Sequence, residues 1–235
     1  MMEYKDIKPY IEKKLISEQA HPEDADVRIF NYTQSCQFSG EWDDVTRQCR
    51  GLIMNVRTGE ILARPFPKFF NYGEHVAKGW QIPDEPVVVT EKVDGSLGIL
   101  YKLNGKARIA TRGSFTSDQA IWATEWWRNN VDDPDNFEDG LTNLFEVLYP
   151  ENRIVVNYDF SGLVHLATLD NKTGEQLSDV SWSLPVRTVG VFTTMKDVSG
   201  LAELEKMDKE NAEGFVVFFP KANMRLKIKF AEYVR

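Results

Sequence analysis

Three short β-rich runs, separated by two turn dipeptides, limit the fold of this chain more than any other feature. The runs lie within residues 86–114, and the breaks between them fall at Asp94-Gly95 and Asn104-Gly105. Both dipeptides favour tight turns, because Asn, Asp and Gly tolerate a positive φ. The pattern therefore predicts an antiparallel meander in the middle of the chain.

Further strands and a few helices are predicted on both sides of the meander. Helical spacing near the N-terminus, a Ser117 cap and residues 201–210 each indicate a helix. The other predicted strands are 50–56, 61–70, 141–150, 152–158, 161–170, 213–220 and 223–230, the first two forming a hairpin. No repeat or Gly/Ser linker divides the chain. We therefore expect one α+β domain over residues 1–235, with mainly antiparallel sheets flanked by helices.

Charge and rare residues exclude several classes of function. The net charge of -8 argues against a protein that holds nucleic acid through its overall charge. Basic residues are concentrated in residues 221–235. Two cysteines and three histidines are too few for a Cys/His zinc site or a disulfide framework. With neither a long apolar run nor a secretory leader in the sequence, we expect a cytoplasmic protein.

The last predicted strand separates apolar from basic side chains. Strict alternation puts Leu226, Ile228 and Phe230 on one face and Arg225, Lys227 and Lys229 on the other. An edge strand protected by lysines would show the same pattern. However, the preceding run 215–219 is apolar on both faces, which indicates a buried position. A buried strand beside a row of cations indicates a cleft lined by positive charge. Such cations would bind phosphate, and they would lower the pKa of a neighbouring lysine so that its neutral amine becomes a nucleophile.

Lys92 is the candidate nucleophile, because it ends a β-run two residues before an Asp-Gly dipeptide. The same pattern also occurs in ordinary surface hairpins. Glu146 and Glu213 each lie beside apolar strand residues, where a carboxylate needs a partner or a metal ion unless the strand end is solvated. Together, these residues predict a nucleotide site that uses Mg²⁺ or Mn²⁺.

Five short motifs follow one another along the chain. They are Lys-Val-Asp-Gly at 92–95, Thr-Arg-Gly-Ser at 111–114, Phe-Glu at 145–146, Glu-Gly-Phe-Val at 213–216 and Leu-Lys-Ile-Lys at 226–229. In this order they resemble motifs I, Ia, III, IV and V of the covalent nucleotidyltransferases, which comprise DNA ligases, RNA ligases and mRNA capping enzymes. Residues 49–51, 64–71 and 150–155 resemble segments of the T4 RNA ligase 1 type.

The resemblance implies a nucleotidyltransferase domain of the ATP-grasp-like ligase fold. It also implies an ATP-dependent RNA ligase that joins 5′-phosphate and 3′-hydroxyl RNA ends, in RNA or tRNA repair in a bacterial or phage-infected cell. Lys92 would take AMP from ATP and pass it to the 5′-phosphate of one RNA end. The 3′-hydroxyl of the other RNA end would then displace the AMP. Residues 1–85 would form an N-terminal extension that contributes ATP contacts, and ATP and Mg²⁺ or Mn²⁺ would be required.

The resemblance also assigns a role to each matching residue. Lys227 and Lys229 would hold the α-phosphate, Asp94 would orient Lys92, and Gly95 would allow close backbone approach. The other expected nucleotide contacts are Arg50, Lys68, Phe70, Glu91, Arg112, Glu146, Glu213 and Gly214, of which Glu146 and Glu213 would also hold the metal through water. Phe145 and Phe192 are candidates for stacking on adenine, although core packing is the preferred interpretation of both.

Three alternatives stay open at this stage. A DNA ligase or an mRNA guanylyltransferase would share the five motifs. A non-catalytic RNA-binding module would share the fold, although such a module would be expected to lose the nucleophile or a lysine of the last motif.

The sequence ends at Arg235 without the helical region that follows in enzymes of this type. We therefore expect either an isolated nucleotidyltransferase domain or a minimal member of the family, in both cases without a C-terminal RNA-specificity domain.

Overall fold

The computed structural model describes residues 2–149, 161–178, 186–207 and 213–230. The predicted strand 152–158 and the ligase-like segment 150–155 lie outside the described residues, as does the end of the predicted helix 201–210.

The described residues form helices and strands in the following order along the chain. The helices are α1 (Tyr4–Glu12), α2 (Gln34–Ser39), α3 (Asp44–Gln48), α4 (Tyr72–Lys78), α5 (Asp118–Asn130) and α6 (Leu201–Glu205). The strands are β1 (Ile16–His21), β2 (Asp24–Tyr32), β3 (Arg50–Asn55), β4 (Ile61–Ala63), β5 (Phe70–Asn71), β6 (Val87–Lys92), β7 (Ser96–Leu103), β8 (Lys106–Thr111), β9 (Leu141–Leu148), β10 (Gly162–Asp170), β11 (Gln176–Leu177), β12 (Arg187–Thr188), β13 (Val191–Met195), β14 (Gly214–Phe219) and β15 (Met224–Lys229). This is the expected α+β class.

The first sheet, in the order β1-β2-β3-β4, is antiparallel throughout. It confirms the predicted β3–β4 hairpin. The sequence did not predict β1, β2, α2 or α3. In β1 only the two end residues are buried, so the strand carries almost no apolar alternation that could reveal it. These elements are stabilised by pairing and packing rather than by local pattern.

The second sheet has the order β11-β10-β9-β7-β8, with β12 parallel to β10. It shares a core with the first sheet, because Ile29 and Ile53 belong to the same buried cluster as Ile99, Tyr101 and Leu144. Helix α5 begins as predicted, since the Ser117 hydroxyl accepts a hydrogen bond from the backbone N–H of Ala120 at 3.2 Å. The second sheet is therefore covered by the first sheet and by α5.

The third sheet has the order β13-β6-β14-β15-β5, and β15 and β5 are parallel in an otherwise antiparallel arrangement. Strand β14 lies between β6 and β15, as its apolar sequence predicts. Strand β15 pairs on both sides, so the edge-strand interpretation of its lysines is wrong. Its apolar face packs into a second core with α6, which contributes Leu201 and Leu204.

The predicted meander is correct at one turn and wrong at the other. Asn104 and Gly105 join paired strands with φ angles of 54° and 74°. Strands β6 and β7 belong to different sheets, so Asp94-Gly95 lies in a crossing between sheets. Gly95 has no positive φ; instead, an added Cβ would lie 2.5 Å from the carbonyl oxygen of Val147. A glycine is needed there for close approach to β9.

Gly214 is held even more tightly between β6 and β15. A Cβ at this position would overlap the carbonyl oxygen of Ile228. We expect Gly214→Ala to lower the free energy of unfolding by about 1–3 kcal/mol, because the sheet must shift to admit one methyl group. Urea unfolding would measure the change.

Gly113→Ala is the matched control, because a Cβ there meets no atom within 4 Å. We expect it to unfold at the wild-type urea concentration. An unchanged midpoint for Gly214→Ala would show that β14 and β15 do not approach as closely as described.

Candidate active site

A cleft lies between the second and third sheets. Its cavity has a volume of about 240 Å³ and is lined by residues of β6, β14 and β15 from one sheet and of β7, β9 and β10 from the other. Five of the predicted site residues line it: Arg50, Glu91, Lys92, Gly95 and Glu146. The crossing between the two sheets therefore places the Lys-Val-Asp-Gly motif at the cleft.

Strand register brings the predicted lysines onto one face of the third sheet. Gly214 lies directly opposite Lys92 on β6 and directly opposite Lys229 on β15. Val216 lies opposite Lys227 in the same way. Since directly opposed residues point to the same face of a sheet, the three lysines share a face. Gly214 contributes no side chain between Lys92 and Lys229.

Lys92 forms an ion pair inside this arrangement. Its Nζ lies 2.6 Å from Oε1 of Glu213, whose side chain is only 5% exposed. A buried carboxylate needs such a partner, because removing a charge from water is costly. Glu213 therefore fixes the position of the candidate nucleophile.

Glu146 approaches from the opposite sheet. Its Oε1 accepts a hydrogen bond from the backbone N–H of Gly95 at 3.0 Å. Desolvation raises the pKa of Glu146, the charge of Lys92 opposes this change and the charge of Glu213 adds to it, and the resulting pKa is about 8. The carboxyl is therefore protonated at neutral pH, and a cation that replaces the proton would be well placed there.

Cations converge on Lys227. The pKa of Lys227 is lowered to about 7. Burial is the largest cause, followed by the positive charges of Lys68, Lys229, Lys92 and Arg50, in that order. The sequence did not predict this property of Lys227, whose expected role was to hold the α-phosphate. All four of these cations act electrostatically on Lys227, so a polyanion bound beside Lys227 would be attracted by the whole group.

Arg225 is a cleft residue to which the sequence reasoning assigned no role. Its guanidinium lies 4.0 Å from the ring centroid of Phe66 and 4.5 Å from that of Phe218, and it donates a hydrogen bond to Gln176. Burial lowers its pKa to about 9. The alternation of β15 identified Arg225 as part of the cationic row, but no signal in the sequence indicated Gln176.

The N-terminal segment contributes cations and aromatic rings around the cleft. The guanidinium of Arg50 lies 5.7 Å from the ring of Phe69, and that of Arg112 lies 4.2 Å from the ring of Tyr32. Lys68 and Phe70 do not line the cleft. Phe70 lines one adjoining cavity, and Lys68 lines another. Lys68 nevertheless lies at the boundary of the cleft, because the cavity that it lines shares Phe69 and Arg225 with the cleft.

The remaining predicted residues differ in their placement. Asp94 is buried in the crossing segment. Glu91 is exposed at the rim and pairs with Phe215, on the sheet face turned away from Lys92. Phe145 is fully buried against Trp127, as core packing predicts, whereas Phe192 is 41% exposed and contacts Phe215. Neither Phe145 nor Phe192 lines the cleft, but Phe66, Phe69 and Phe218 do.

Glu146 and Glu213 are the carboxylates that could hold a metal ion. Within the described ranges no group of three or more His, Cys, Asp or Glu residues has metal-binding geometry. The two carboxylates do influence each other electrostatically. This arrangement fits a hydrated Mg²⁺ or Mn²⁺, which keeps several of its waters, better than a site with only protein ligands.

Comparisons with known proteins identify relatives of this chain. The family model for RNA ligases of the T4 RNA ligase 1 type matches residues 48–233. RNA ligase 1 of bacteriophage TS2126 is 32% identical over 189 residues, which cover 73% of this chain and 47% of the phage protein. A Thermovibrio ammonificans protein provisionally named RNA ligase is 31% identical over 187 residues, covering 72% and 46% of the two chains. The chain thus spans about half the length of these curated relatives.

A solved structure confirms the fold. The archaeal ATP-dependent RNA ligase aligns with a TM-score of 0.59 at 16% identity, covering 97% of this chain and 62% of the archaeal chain. This likeness supports the expected nucleotidyltransferase fold. No helix in the described part of the chain is long and apolar enough to cross a membrane.

The raised pKa of Glu146 predicts a dependence of stability on pH. Between about pH 4.5 and 8 the folded protein keeps a proton that the unfolded chain loses, so this group makes stability fall as the pH rises. We expect Glu146→Gln, which preserves the oxygen that faces Gly95, to unfold at a higher temperature than the wild type at pH 8. The gain should be on the order of 2 kcal/mol and should vanish near pH 4.

Thermal melts across this pH range would test the prediction. Glu125→Gln serves as the control, because Glu125 is an exposed residue of α5. If Glu146→Gln and Glu125→Gln had the same melting temperatures at every pH, Glu146 would not be a buried protonated carboxyl.

Proposed function

The chain belongs to the RNA ligase family of the T4 RNA ligase 1 type, and on this premise we propose that it is an ATP-dependent RNA ligase acting through a lysyl-AMP. Its substrates would be RNA 5′-phosphate and 3′-hydroxyl ends, and its role would be RNA repair, including repair of tRNA. The observation that carries the proposal is the row formed by Lys92, Gly214 and Lys229, with Glu213 holding Lys92 at 2.6 Å.

In the first step, Nζ of Lys92 attacks the α-phosphorus of ATP. A nitrogen–phosphorus bond forms, and the bond to the leaving pyrophosphate oxygen breaks. The ammonium must lose a proton before it attacks, and the carboxylate of Glu213, whose Oε1 lies 2.6 Å from Nζ, is placed to accept it. The approaching phosphate raises the pKa of Lys227, so that Lys227 becomes a cation where negative charge develops.

The next two steps use the same cations. The 5′-phosphate of RNA attacks the lysyl-AMP and releases Lys92, and the 3′-hydroxyl then displaces AMP to form the phosphodiester. Lys227 and Lys229 would stabilise the charge on the α-phosphate in each displacement. The apolar residues Val88, Val216 and Phe218 form part of the cleft wall and suit the flat faces of a base.

Residues 1–85 would act as an extension that completes the nucleotide site. Arg50 lines the cleft and Lys68 lies at its boundary, so both are placed to contact the triphosphate. Arg112 approaches from β8, and its pKa is lowered by burial and then by Arg50, which indicates that these two cations are neighbours. Asp94 would orient Lys92 from within the crossing segment.

Glu146 and Glu213 would hold Mg²⁺ or Mn²⁺ through its waters. When bound, the ion would neutralise charge on the phosphate oxygens. Glu146 would exchange its proton for the cation, and Glu213 would then share its charge between the ion and Lys92.

Transfer of label from ATP to the protein tests the nucleophile. We expect wild-type protein incubated with ATP labelled at the α-phosphate to become labelled, and Lys92→Ala to take up no label although it is folded at the assay temperature. Its melting temperature should be lower than that of the wild type, because the buried carboxylate of Glu213 loses its partner. Lys106→Ala is the control, since Lys106 is an exposed residue at the β7–β8 turn.

Two results would contradict the assignment. Labelling of Lys92→Ala would mean that another residue is the nucleophile. Labelling of the wild type by GTP but not by ATP would identify a guanylyltransferase instead of an RNA ligase.

Metal dependence tests the role of the carboxylates. We expect EDTA to abolish labelling and added Mg²⁺ or Mn²⁺ to restore it. Glu146→Gln should raise the Mg²⁺ concentration needed for half-maximal labelling by about 10-fold or more, because the variant loses a carboxylate that would bind the waters of the ion. Glu125→Gln should leave it unchanged. A Glu146→Gln protein with the wild-type Mg²⁺ requirement would exclude Glu146 from the metal site.

A further inference from the structure

A second cavity adjoins the cleft and has a different character. Its volume is about 440 Å³, and its walls include Trp42, Phe70 and Trp80. Phe69 and Arg225 line both this aromatic cavity and the cleft, so the two spaces share a wall. A ligand in the aromatic cavity would therefore lie directly beside the nucleotide site.

The three rings of the aromatic cavity are arranged edge to face. The ring centroids of Trp42 and Phe70 are 5.7 Å apart at an interplanar angle of 75°, and those of Phe70 and Trp80 are 4.9 Å apart at 63°. Rings in this geometry cover each other only in part, and all three side chains are half-buried. Half-buried aromatic rings around a cavity are typical of surfaces on which unpaired bases stack.

Cations accompany these rings. Nζ of Lys68 lies 5.4 Å from the ring centroid of Phe70 and 5.6 Å from that of Trp42. Lys68 and Arg47 line a third cavity of about 260 Å³, which shares Phe69 and Arg225 with the cleft and with the aromatic cavity, and Arg47 lines the aromatic cavity as well. Nε of Arg47 is buried and has no hydrogen-bond partner in the part of the chain that the structure describes.

Acidic groups are missing from the lining of both adjoining cavities, as far as the described residues show. The lining is therefore complementary to an anion that carries a flat apolar group. A nucleotide with a phosphate and an unpaired base has this chemistry.

We propose that the aromatic cavity holds the unpaired base of the RNA nucleotide that carries the 5′-phosphate. Its phosphate would point to Lys68, at the boundary with the cleft that contains Lys92. The proposal rests on the proposed function, since it names the site of one RNA end. The 5′ end is favoured over the 3′ end because only the 5′ end has a terminal phosphate for Lys68 and Arg47 to bind.

RNA binding in the absence of ATP tests the proposal. Two short single-stranded RNAs with a 5′-phosphate are compared by fluorescence anisotropy, one complete and one lacking the base of its 5′-terminal nucleotide. We expect the wild type to bind the complete RNA roughly tenfold more tightly, the size expected for one stacked base. Trp80→Ala and Trp42→Ala should bind both RNAs equally, and Trp80→Phe should keep most of the discrimination.

Trp126→Ala is the matched control, because Trp126 is a half-buried tryptophan of α5 that lines neither cavity. It should discriminate like the wild type. Trp80→Ala should still take label from ATP at Lys92, which shows that it is folded and that its nucleotide site is intact.

Three outcomes would overturn the proposal. They are equal binding of the two RNAs by the wild type, discrimination retained in both Trp42→Ala and Trp80→Ala, or a loss of labelling from ATP in Trp80→Ala that parallels the loss of RNA binding. The last would assign the cavity to ATP. A wild type that takes no label from ATP would instead refute the proposed ligase mechanism, while the RNA comparison would still decide this site.

Discussion

The hydrogen bond from the backbone N–H of Gly95 to Glu146 holds the segment in which the chain crosses between two sheets against strand β9. Only three residues, 93–95, separate the end of β6 in one sheet from the start of β7 in the other. Gly95 must approach β9 closely, which excludes any side chain at this position. The candidate nucleophile thus lies at the point where the chain passes from one sheet to the other, and the cleft is beside it.

The cleft concentrates charges at a cost in stability. Lys92 and Glu213 offset each other as an ion pair, but Glu146 and Lys227 lie in surroundings that favour their neutral forms. A protein selected only for stability would place apolar residues at such positions. A site that receives a polyphosphate and a cation gains from this arrangement, because each buried group acquires its counter-charge when the ligands bind.

The sequence predicted those parts of the site that depend on order and alternation. The lysines of β15 followed from strict alternation, and Lys92, Glu146 and Glu213 followed from motifs in a typical order. The crossing at Asp94-Gly95 was mistaken for a hairpin turn, because the dipeptide alone does not show which strands pair. Arg225 with Gln176, and Arg50 with Phe69, meet only through sheet register and packing between distant segments, for which the sequence has no local signal.

The wall that Phe69 and Arg225 contribute to both cavities has a thermodynamic consequence. A ligand that displaces either side chain from one cavity alters the shape of the other. Linkage makes such an effect reciprocal: if an RNA end changes the affinity for nucleotide by some factor, nucleotide changes the affinity for that RNA end by the same factor. Two side chains would then be sufficient to couple the occupancy of the two sites, without movement of a separate domain.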